Sequence, residues 1–405
     1  MNGADTRAYD LVIVGGGLGG CSLGAYLARR GANILILERE QAYRDRVRGE
    51  GIFPWGCVEA KWLGLYDRLL STCAREVPYW DRTVVDGPSI KRDLRATTPS
   101  GLGCLNFLHH EMQEELARIA AGAGAMLRRG AEVFSVTPGS PPCARYRWNG
   151  EDHIASARLI VGADGRASKV RGWAGFEVER DPDFLIVAST LHAPMGAPQD
   201  TVSTFTNPKL GRTSLVYPVG ADRCRTYLVY RAADLGKRFS GARDAAQFIT
   251  ACIETGVPAK YYAESTQSGP LASFNGATAW VPHPARNGVV LIGDAAGASD
   301  PSFGSGLSST LRDVRLLAEE LSASDDWAVA ADAYAQKHDK SFDALHTILQ
   351  WWERIGYGVG PEVEELRRRA YPLLAAEPSR QPDIHGLGPD APHDELARQR
   401  FFGER

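Results

Sequence analysis

The sequence lacks several features that mark secreted, membrane-spanning and nucleic-acid-binding proteins. Its seven cysteines are scattered and no two form a C-x-x-C pair, which favours free thiols in a reducing compartment. The 46 basic and 49 acidic residues nearly balance, and no block of like charge stands out. Charge therefore gives no reason to expect nucleic acid or an anionic membrane as a partner. The apolar run at residues 11–14 is too short for a signal peptide or a membrane span. We expect a cytoplasmic protein with no membrane span, no nucleic-acid partner and no metal site.

Enough apolar sequence is present for a large core. The chain has 405 residues, 44% of them hydrophobic, and more than one domain is expected at this length. A β-α-β unit at the start is followed by a strand-rich middle from about residue 184 to 230, a buried strand at 288–293 and a helical part at 308–369. The tail at 377–392 is rich in Pro, Gly, Asp and Arg, which predicts a loosely packed extension.

The first β-α-β unit carries a dinucleotide-binding loop. Gly15, Gly17 and Gly20 form a G-x-G-x-x-G pattern between the predicted strand and helix, and Glu38 ends the second strand. Glycine allows the tight turn and lets backbone amides approach a pyrophosphate, while the carboxylate suits a ribose hydroxyl pair. The helix N-terminus adds roughly half a positive charge there. A glycine-rich turn without a ligand is the alternative, and the loop by itself suits NAD as well as FAD.

Two further glycine-acid motifs follow. The first is LIVGADGRASKVR at residues 159–171, and the second is GDAAGASDPSFGSGL at residues 293–307. Taken alone, Asp164 fits a plain turn, Arg171 a solvated surface residue and Asp294 a helix cap. In their order and spacing, the three motifs together resemble the para-hydroxybenzoate hydroxylase family, the group A flavoprotein hydroxylases. This resemblance covers about residues 8 to 345.

The resemblance implies a fold and a domain arrangement. The fold class is α/β, with a Rossmann-type FAD-binding domain, an inserted antiparallel β-sheet substrate domain and a helical C-terminal region. The expected divisions are residues 1–75, 101–180 and 276–345 for the FAD-binding domain, 76–100 and 181–275 for the substrate domain, and 346–405 for the C-terminal helical region and tail.

The resemblance also implies which residues contact FAD. Asp294 would hold a ribityl hydroxyl, Pro301 would lie beside the reactive edge of the isoalloxazine, and Asp164 would lie near the pyrophosphate. One of the arginines after Glu38 would reach the phosphates. The full set of expected contacts is Gly15, Gly17, Leu18, Gly19, Gly20, Glu38, Arg39, Arg44, Arg48, His109, Asp164, Asp294, Pro301, Gly304, Gly306, Leu307 and Ser308.

Three positions depart from the family pattern. Gly297 replaces the usual histidine of GDAAH, Ser308 replaces the usual asparagine, and His109-His110 replaces a flavin-contacting arginine or glutamine. Each of these positions touches the flavin or its pocket in the family. The departures bear on the placement of the isoalloxazine more than on FAD binding, and they indicate an outlying subfamily.

The function that the resemblance implies is an NAD(P)H-dependent flavin monooxygenase. It would insert one oxygen atom from O2 into a small, aromatic or polycyclic substrate through a flavin C4a-hydroperoxide, with NAD(P)H as a transient co-substrate. A second dinucleotide loop for NAD(P)H is missing from the sequence, as in these monooxygenases. A reductase of the geranylgeranyl type, which shares GDAAG, an oxidase and a halogenase remain alternatives, although the W-x-W-x-I-P segment of tryptophan halogenases is missing. A non-catalytic flavin-binding protein ranks last. A monomer or homodimer is expected.

Because the cofactor supplies the difficult chemistry, the sequence identifies no general acid or base. His192 could orient a phenol, although a lone histidine on a strand is more often a structural residue. Any one aromatic residue is more often core than pocket. The candidates for the substrate pocket are Trp55, Trp80, His192, Tyr217, Pro218 and Phe303.

Overall fold

A computed structural model describes residues 8–87, 89–182 and 184–405 of the chain. The strands are β1 (Ala8–Val14), β2 (Ile34–Glu38), β3 (Gly51–Ile52), β4 (Ala74–Val77), β5 (Tyr79–Val84), β6 (Ser89–Asp93), β7 (Cys104–Phe107), β8 (Met126–Arg129), β9 (Glu132–Thr137), β10 (Cys143–Trp148), β11 (Glu151–Gly162), β12 (Glu179–Arg180), β13 (Leu185–His192), β14 (Thr201–Asn207), β15 (Arg212–Gly220), β16 (Arg223–Arg231), β17 (Ala272–Asn275), β18 (Ala279–Trp280), β19 (Ala285–Arg286), β20 (Val289–Leu291) and β21 (Gly297–Ala298). The α-helices are α1 (Leu18–Ala28), α2 (Pro54–Trp62), α3 (Tyr66–Thr72), α4 (Leu94–Thr97), α5 (His109–Gly122), α6 (Val170–Trp173), α7 (Ala232–Leu235), α8 (Ala245–Glu254), α9 (Gly306–Ala323), α10 (Trp327–Tyr357), α11 (Pro361–Ala376) and α12 (Glu395–Phe401).

The first large sheet has eight strands, and its central strands are parallel. The strand order is β19-β20-β11-β1-β2-β8, with β10 paired to β11 and β9 paired to β10. Strands β20, β11, β1, β2 and β8 run parallel to one another. Leu11 to Val14 of β1 are buried, because a parallel sheet has both faces covered. The predicted α/β fold with a Rossmann-type domain is confirmed.

Two hydrophobic clusters cover the two faces of this sheet. Helices α1, α5 and α9 pack on one face, where Leu23, Leu116 and Leu317 are buried. The hairpin of β9 and β10 contributes Val133 and Tyr146 to the cluster on the other face. With both faces covered, a ligand reaches the sheet at the edge where the parallel strands end, as in other open α/β sheets.

The second large sheet has seven strands in the order β17-β13-β16-β15-β14-β5-β6. Only the β14–β5 pairing among them is parallel. Successive side chains of a strand point to opposite faces. Val187 and Tyr227 therefore pack on one face, in a cluster with Phe53 and Trp80, whereas Ile186 and Leu228 pack with Phe248 of α8 on the other face. Only the side chains on one face of this sheet can therefore reach a ligand bound against that face.

The C-terminal segment is packed, and the prediction of a loose tail over residues 377–392 is wrong. Ile384 is 8% exposed, and its carbonyl accepts a hydrogen bond from Trp55 Nε1 at 3.1 Å. Asp383 forms a salt bridge of 2.6 Å with Arg92 on β6. Proline and glycine signal an irregular backbone, but packing depends on partners that lie far away in the sequence. Helix α10 also runs unbroken across the predicted division between residues 345 and 346.

A buried ion pair fixes the turn that follows β20. Asp313 of α9 contacts His338 Nδ1 of α10 at 2.8 Å, and its second oxygen accepts the Gly293 N–H at 2.8 Å. Gly293 has a φ of +58°, which favours glycine. The pair therefore joins two helices to the residue that immediately precedes Asp294.

Two departures from the family pattern have a packing explanation. A Cβ atom on Gly297 would lie 2.6 Å from ring carbons of Phe342 on α10, so the helix occupies the space that a histidine would need. Ser308 Oγ accepts the Phe53 N–H at 3.0 Å. A Cβ on Gly56 would already lie 2.5 Å from Ser308 Cβ, so α2 leaves little room for an asparagine at position 308.

The His338–Asp313 pair predicts a pH-dependent stability. Burial lowers the pKa of His338, but the carboxylates of Asp313, Asp339 and Asp343 together raise it more, and the net pKa lies above the usual value of 6.5. The stabilisation is therefore complete below pH about 6.5 and is lost as pH rises through the folded pKa. We expect the difference in unfolding free energy between the protein and its His338→Gln variant to shrink from pH 5.5 to pH 9 in urea titrations. A difference that grows with pH would contradict this, and replacement of the exposed His393 should have little effect at either pH.

The contact between Gly297 and Phe342 predicts the cost of restoring the family's histidine. Overpacking costs about 1–3 kcal/mol, so Gly297→His should lower the unfolding free energy by that amount. The double variant G297H/F342A should lose less unfolding free energy than the two single variants lose together, because alanine vacates the space that the histidine needs. If denaturant unfolding shows that the double variant loses the full sum of the two single losses, the clash between the histidine and Phe342 is refuted. Gly122→His is the matched control, since a Cβ there meets nothing within 4 Å.

Candidate functional site

A cavity of about 410 Å³ lies between the two large sheets, at the ends of β1, β2, β11 and β20. The start of α5, the start of α9 and the inner face of the seven-stranded sheet complete its wall. It brings together most residues that the three motifs marked. The predicted cofactor contacts that line it are Gly15, Gly17, Leu18, Gly19, Glu38, Arg39, Arg44, Arg48, His109, Asp164, Asp294, Pro301, Gly304, Gly306 and Leu307.

The glycine loop after β1 makes close backbone approaches possible. Gly15 has a φ of +107°, and a Cβ there would overlap the Ala163 carbonyl. A Cβ on Gly20 would overlap the Gly15 carbonyl, so Gly20 lies behind the loop and does not line the cavity. Gly17 precedes α1 and gives it no side-chain cap. The first amides of α1 therefore remain available to an anion in the cavity.

Glu38 anchors this loop from the end of β2. One carboxylate oxygen accepts the Gly16 N–H at 2.7 Å, and the other accepts the Glu40 N–H at 2.8 Å. Tyr43 donates its hydroxyl to the Gly16 carbonyl at 2.5 Å. Because a carboxylate oxygen can accept more than one hydrogen bond, Glu38 can still bind a hydroxyl pair.

The motif after β11 places at the cavity an aspartate that also caps a helix. Asp164 Oδ2 accepts the N–H of Lys169 at 2.7 Å and of Val170 at 3.3 Å, so it caps α6. Its Oδ1 is buried and has no partner among the described residues. Arg171 is buried, not a solvated surface residue, and donates to the Ala295 carbonyl at 2.7 Å. The cap thus leaves one oxygen available for a ligand, and the arginine ties the second motif to the third.

Asp294 presents a carboxylate to the cavity. Within the described residues its side chain accepts no hydrogen bond. Burial raises the pKa of Asp294, and the nearby Arg166, Arg48 and Arg171 oppose that rise. A carboxylate in this state is suited to accept a hydrogen bond from a bound hydroxyl group.

The turn from Pro301 to α9 brings a helix N-terminus to the cavity. Asp300 caps the turn by accepting the Ser302 N–H at 2.9 Å. Gly304 has a φ of +71°, and a Cβ there would lie 2.9 Å from Tyr217 Oη. Ser305 gives α9 no side-chain cap. Partial positive charge from the first amides of α9 therefore faces the cavity.

His109 takes the place of the family's arginine or glutamine. Its Nδ1 lies 2.9 Å from the Gly49 carbonyl oxygen, and because a carbonyl only accepts, Nδ1 is the donor. Burial lowers the pKa of His109 to about 4. The third departure thus replaces a cation or an amide with a neutral imidazole.

Several predicted site residues lie elsewhere. His192 faces the opposite side of the seven-stranded sheet, where its Nδ1 contacts Ser265 Oγ at 3.0 Å and burial lowers its pKa to about 4. Pro218 follows Tyr217 on β15. It faces away from the cavity because successive side chains of a strand point to opposite faces. Ser308 is buried behind the start of α9.

The remaining pocket candidates belong to, or pack against, the hydrophobic cluster that also contains Tyr217 and Tyr227 of the cavity wall. Trp80 meets the Tyr217 ring edge-on, with ring centroids 5.9 Å apart. Trp55 lies under the C-terminal tail, and Phe303 packs between two hydrophobic clusters. Of the six pocket candidates, Tyr217 alone lines the cavity within the described part of the chain.

Sequence reasoning missed the rest of the sheet wall and a buried ion cluster. The wall also contains Val187, Leu215, Tyr227, Val229 and Phe274. Alternation in the strands shows that such residues share a face, but not which face meets the cavity. The cluster is centred on Arg225, which is fully buried and contacts Glu50 and Asp45, each at 2.8 Å. The only sequence signal was an arginine inside an apolar strand.

Two other classes of site would need a long apolar helix or a cluster of metal-ligating side chains in the described residues. No α-helix there is both long and apolar enough to cross a membrane. No group of three or more His, Cys, Asp or Glu side chains there is placed to hold a metal ion.

Comparisons with known proteins connect the cavity to a family. The family described as "FAD binding domain" matches residues 8–339. Digeranylgeranylglycerophospholipid reductase 1 of Methanococcoides burtonii is 26% identical over 358 residues, which cover 85% of this chain and 79% of that protein. The solved p-nitrophenol 4-monooxygenase of Pseudomonas putida DLL-E4 has a TM-score of 0.76 at 17% identity and covers 98% of this chain and 99% of its own. A solved flavin-dependent brominase has a TM-score of 0.77 at 17% identity, with 98% and 97% covered.

The structural likenesses show a shared fold, and the family match covers all three motifs that meet at the cavity. Three features of the described residues fit FAD: an Asp294 side chain that accepts no hydrogen bond, the buried free oxygen of Asp164 and two helix N-termini without a side-chain cap. The chain belongs to the FAD-binding-domain family, and it is an FAD-dependent oxidoreductase that resembles the group A flavoprotein hydroxylases.

Proposed function

We propose that the protein is an NAD(P)H-dependent flavin monooxygenase. It inserts one oxygen atom from O2 into a small, aromatic or polycyclic substrate, through a flavin C4a-hydroperoxide. The observation that carries the proposal is the continuity of the cavity, which runs from the glycine loop past Asp294 to an apolar wall around Tyr217. One cavity thus has a polar part for a dinucleotide and an apolar part for an organic substrate.

Different residues of the cavity would bind different parts of FAD. The amides of the loop from Gly15 to Gly19 would bind the pyrophosphate, and Glu38 would bind the adenosine ribose. Arg48 has no ion-pair partner among the described residues and would reach a phosphate. Asp294 would accept a hydrogen bond from a ribityl hydroxyl.

The start of α9 would support the redox chemistry. A reduced flavin carries negative charge near N1 and O2, and roughly half a positive charge resides at a helix N-terminus. The turn at Pro301 and Gly304 would place these amides against that edge of the flavin. The apolar wall would exclude water from the reacting centre.

A flavin-dependent reductase is the second candidate. The similarity to a digeranylgeranylglycerophospholipid reductase and the glycine at position 297 favour it, and an apolar wall also suits an alkene. A halogenase or an oxidase would use the same FAD cavity, and a non-catalytic flavoprotein is the least favoured reading. We further propose a cytoplasmic monomer or homodimer, in keeping with seven free cysteines.

The role of Asp294 is tested by its removal. A hydrogen bond to a charged group contributes about 1.5–3 kcal/mol, so Asp294→Ala should weaken FAD binding about 10- to 100-fold. Fluorescence titration of the apoprotein with FAD measures this. Asp152→Ala, which removes an exposed carboxylate paired with Arg147, should leave the affinity unchanged. Equal affinities of the Asp294 variant and the parent protein would remove this residue from the site.

The choice between monooxygenase and reductase is tested with oxygen. Protein reduced anaerobically and then mixed with O2 in a stopped-flow instrument should show a transient C4a-hydroperoxide absorbance. During turnover, substrate should stimulate NAD(P)H oxidation with matching O2 uptake. Substrate-dependent NAD(P)H oxidation without O2 uptake would instead establish a reductase, and free FAD under the same conditions is the control for uncatalysed reoxidation.

A further inference from the structure

The substrate end of the cavity has a wall without charged side chains. Strands β13, β15, β16 and β17 place alternate residues on it. The six side chains from this sheet that line the cavity are Val187, Leu215, Tyr217, Tyr227, Val229 and Phe274. A charged group placed against such a wall loses hydration without gaining a partner, which weakens its binding.

Tyr217 offers the free polar atom of this wall. Its hydroxyl has no hydrogen-bond partner within the described residues, whereas the Tyr227 hydroxyl donates to the Arg48 carbonyl at 2.7 Å. Burial raises the pKa of both tyrosines well above 10, so both remain neutral. A ligand in this part of the cavity therefore meets one available O–H donor, close to Gly304.

The cation across from Tyr217 on the neighbouring strand is already neutralised. Arg225 lies directly across from Tyr217 in the β15–β16 pairing. Its guanidinium is held by Glu50, with contacts of 2.8 and 3.0 Å, and by Asp45 at 2.8 Å. One cation with two carboxylates leaves no net positive charge for an anionic substrate. Among the other arginines that line the cavity, Arg48 is assigned above to an FAD phosphate, and Arg166 donates to the Ser299 and Ala277 carbonyls.

We propose that this site takes an uncharged, largely apolar substrate that carries a hydrogen-bond acceptor, to which the Tyr217 hydroxyl donates. The inference rests on the proposed function, because FAD must occupy the polar part of the same cavity. The site then excludes carboxylate-bearing substrates, and Tyr217 is a specificity-determining residue.

The test uses the FAD-loaded protein and three probes of one shape. Naphthalene lacks an acceptor, 2-methoxynaphthalene has a neutral acceptor, and 2-naphthoate is an anion. Dissociation constants come from probe fluorescence. We expect 2-methoxynaphthalene to bind about 3- to 10-fold more tightly than naphthalene, the range of one neutral hydrogen bond, and 2-naphthoate to bind at least about 10-fold more weakly than 2-methoxynaphthalene. Equal or tighter binding of 2-naphthoate would overturn the proposal.

Two tyrosine variants locate the donor. Tyr217→Phe should abolish the preference for 2-methoxynaphthalene over naphthalene and leave naphthalene binding unchanged. Tyr230→Phe is the matched control, because its hydroxyl lies on the other face of the sheet and donates to the Lys237 carbonyl. A preference that survives in Tyr217→Phe would overturn the assignment. So would a loss of FAD affinity in that variant, which would place the hydroxyl on the flavin.

A charge variant tests the role of the ion cluster. Glu50→Gln removes one negative charge and keeps one of the two hydrogen bonds from Arg225, because only the amide oxygen can accept. The affinity for 2-naphthoate should therefore rise several-fold relative to 2-methoxynaphthalene. An unchanged ratio would show that the cluster does not set the discrimination. Failure of the monooxygenase proposal is separable from these outcomes, because a protein that binds FAD and the probes as expected but takes up no O2 retains the substrate class.

Discussion

A fully buried arginine holds the two halves of the cavity together. Arg225 extends from the inner face of the seven-stranded sheet and binds Glu50 and Asp45 on the loop that follows β2. That loop also carries Arg48 and Gly49, which line the cavity. Removing one partner from a buried ion pair costs about 3–5 kcal/mol, because it leaves an uncompensated charge. The position of the loop, and with it the width of the cavity, depends on this cluster.

The site differs electrostatically from the family pattern because of its local packing. Phe342 occupies the space beside Gly297, and Gly56 closes the space beside Ser308. His109 is neutral since burial lowers its pKa to about 4. The flavin end of the cavity therefore relies on the uncapped start of α9 and on Asp294, with fewer charged side chains than the family pattern implies.

Much of the fold and of the polar site follows from local patterns in the sequence. The apolar runs predicted β1, β2, β13, β15 and β16, because strands buried on a face leave a periodic trace. The glycine motifs marked the positions that meet at the cavity, because a tight turn or a close backbone approach restricts the residue type. The apolar half of the site left no comparable trace, since the composition of a strand does not reveal which face points at a ligand.

The sequence alone therefore determined the FAD-binding family, the order of the elements and the residues of the dinucleotide loop, because these depend on contacts between neighbours along the chain. Tertiary structure decided that His192 faces away from the cavity, that the tail packs against Trp55, and that Arg225 is neutralised. The Arg225–Glu50 pair joins residues 175 positions apart and the Trp55–Ile384 hydrogen bond joins residues 329 apart. Such pairings arise only when the sheets and helices have come together, because no local pattern records them.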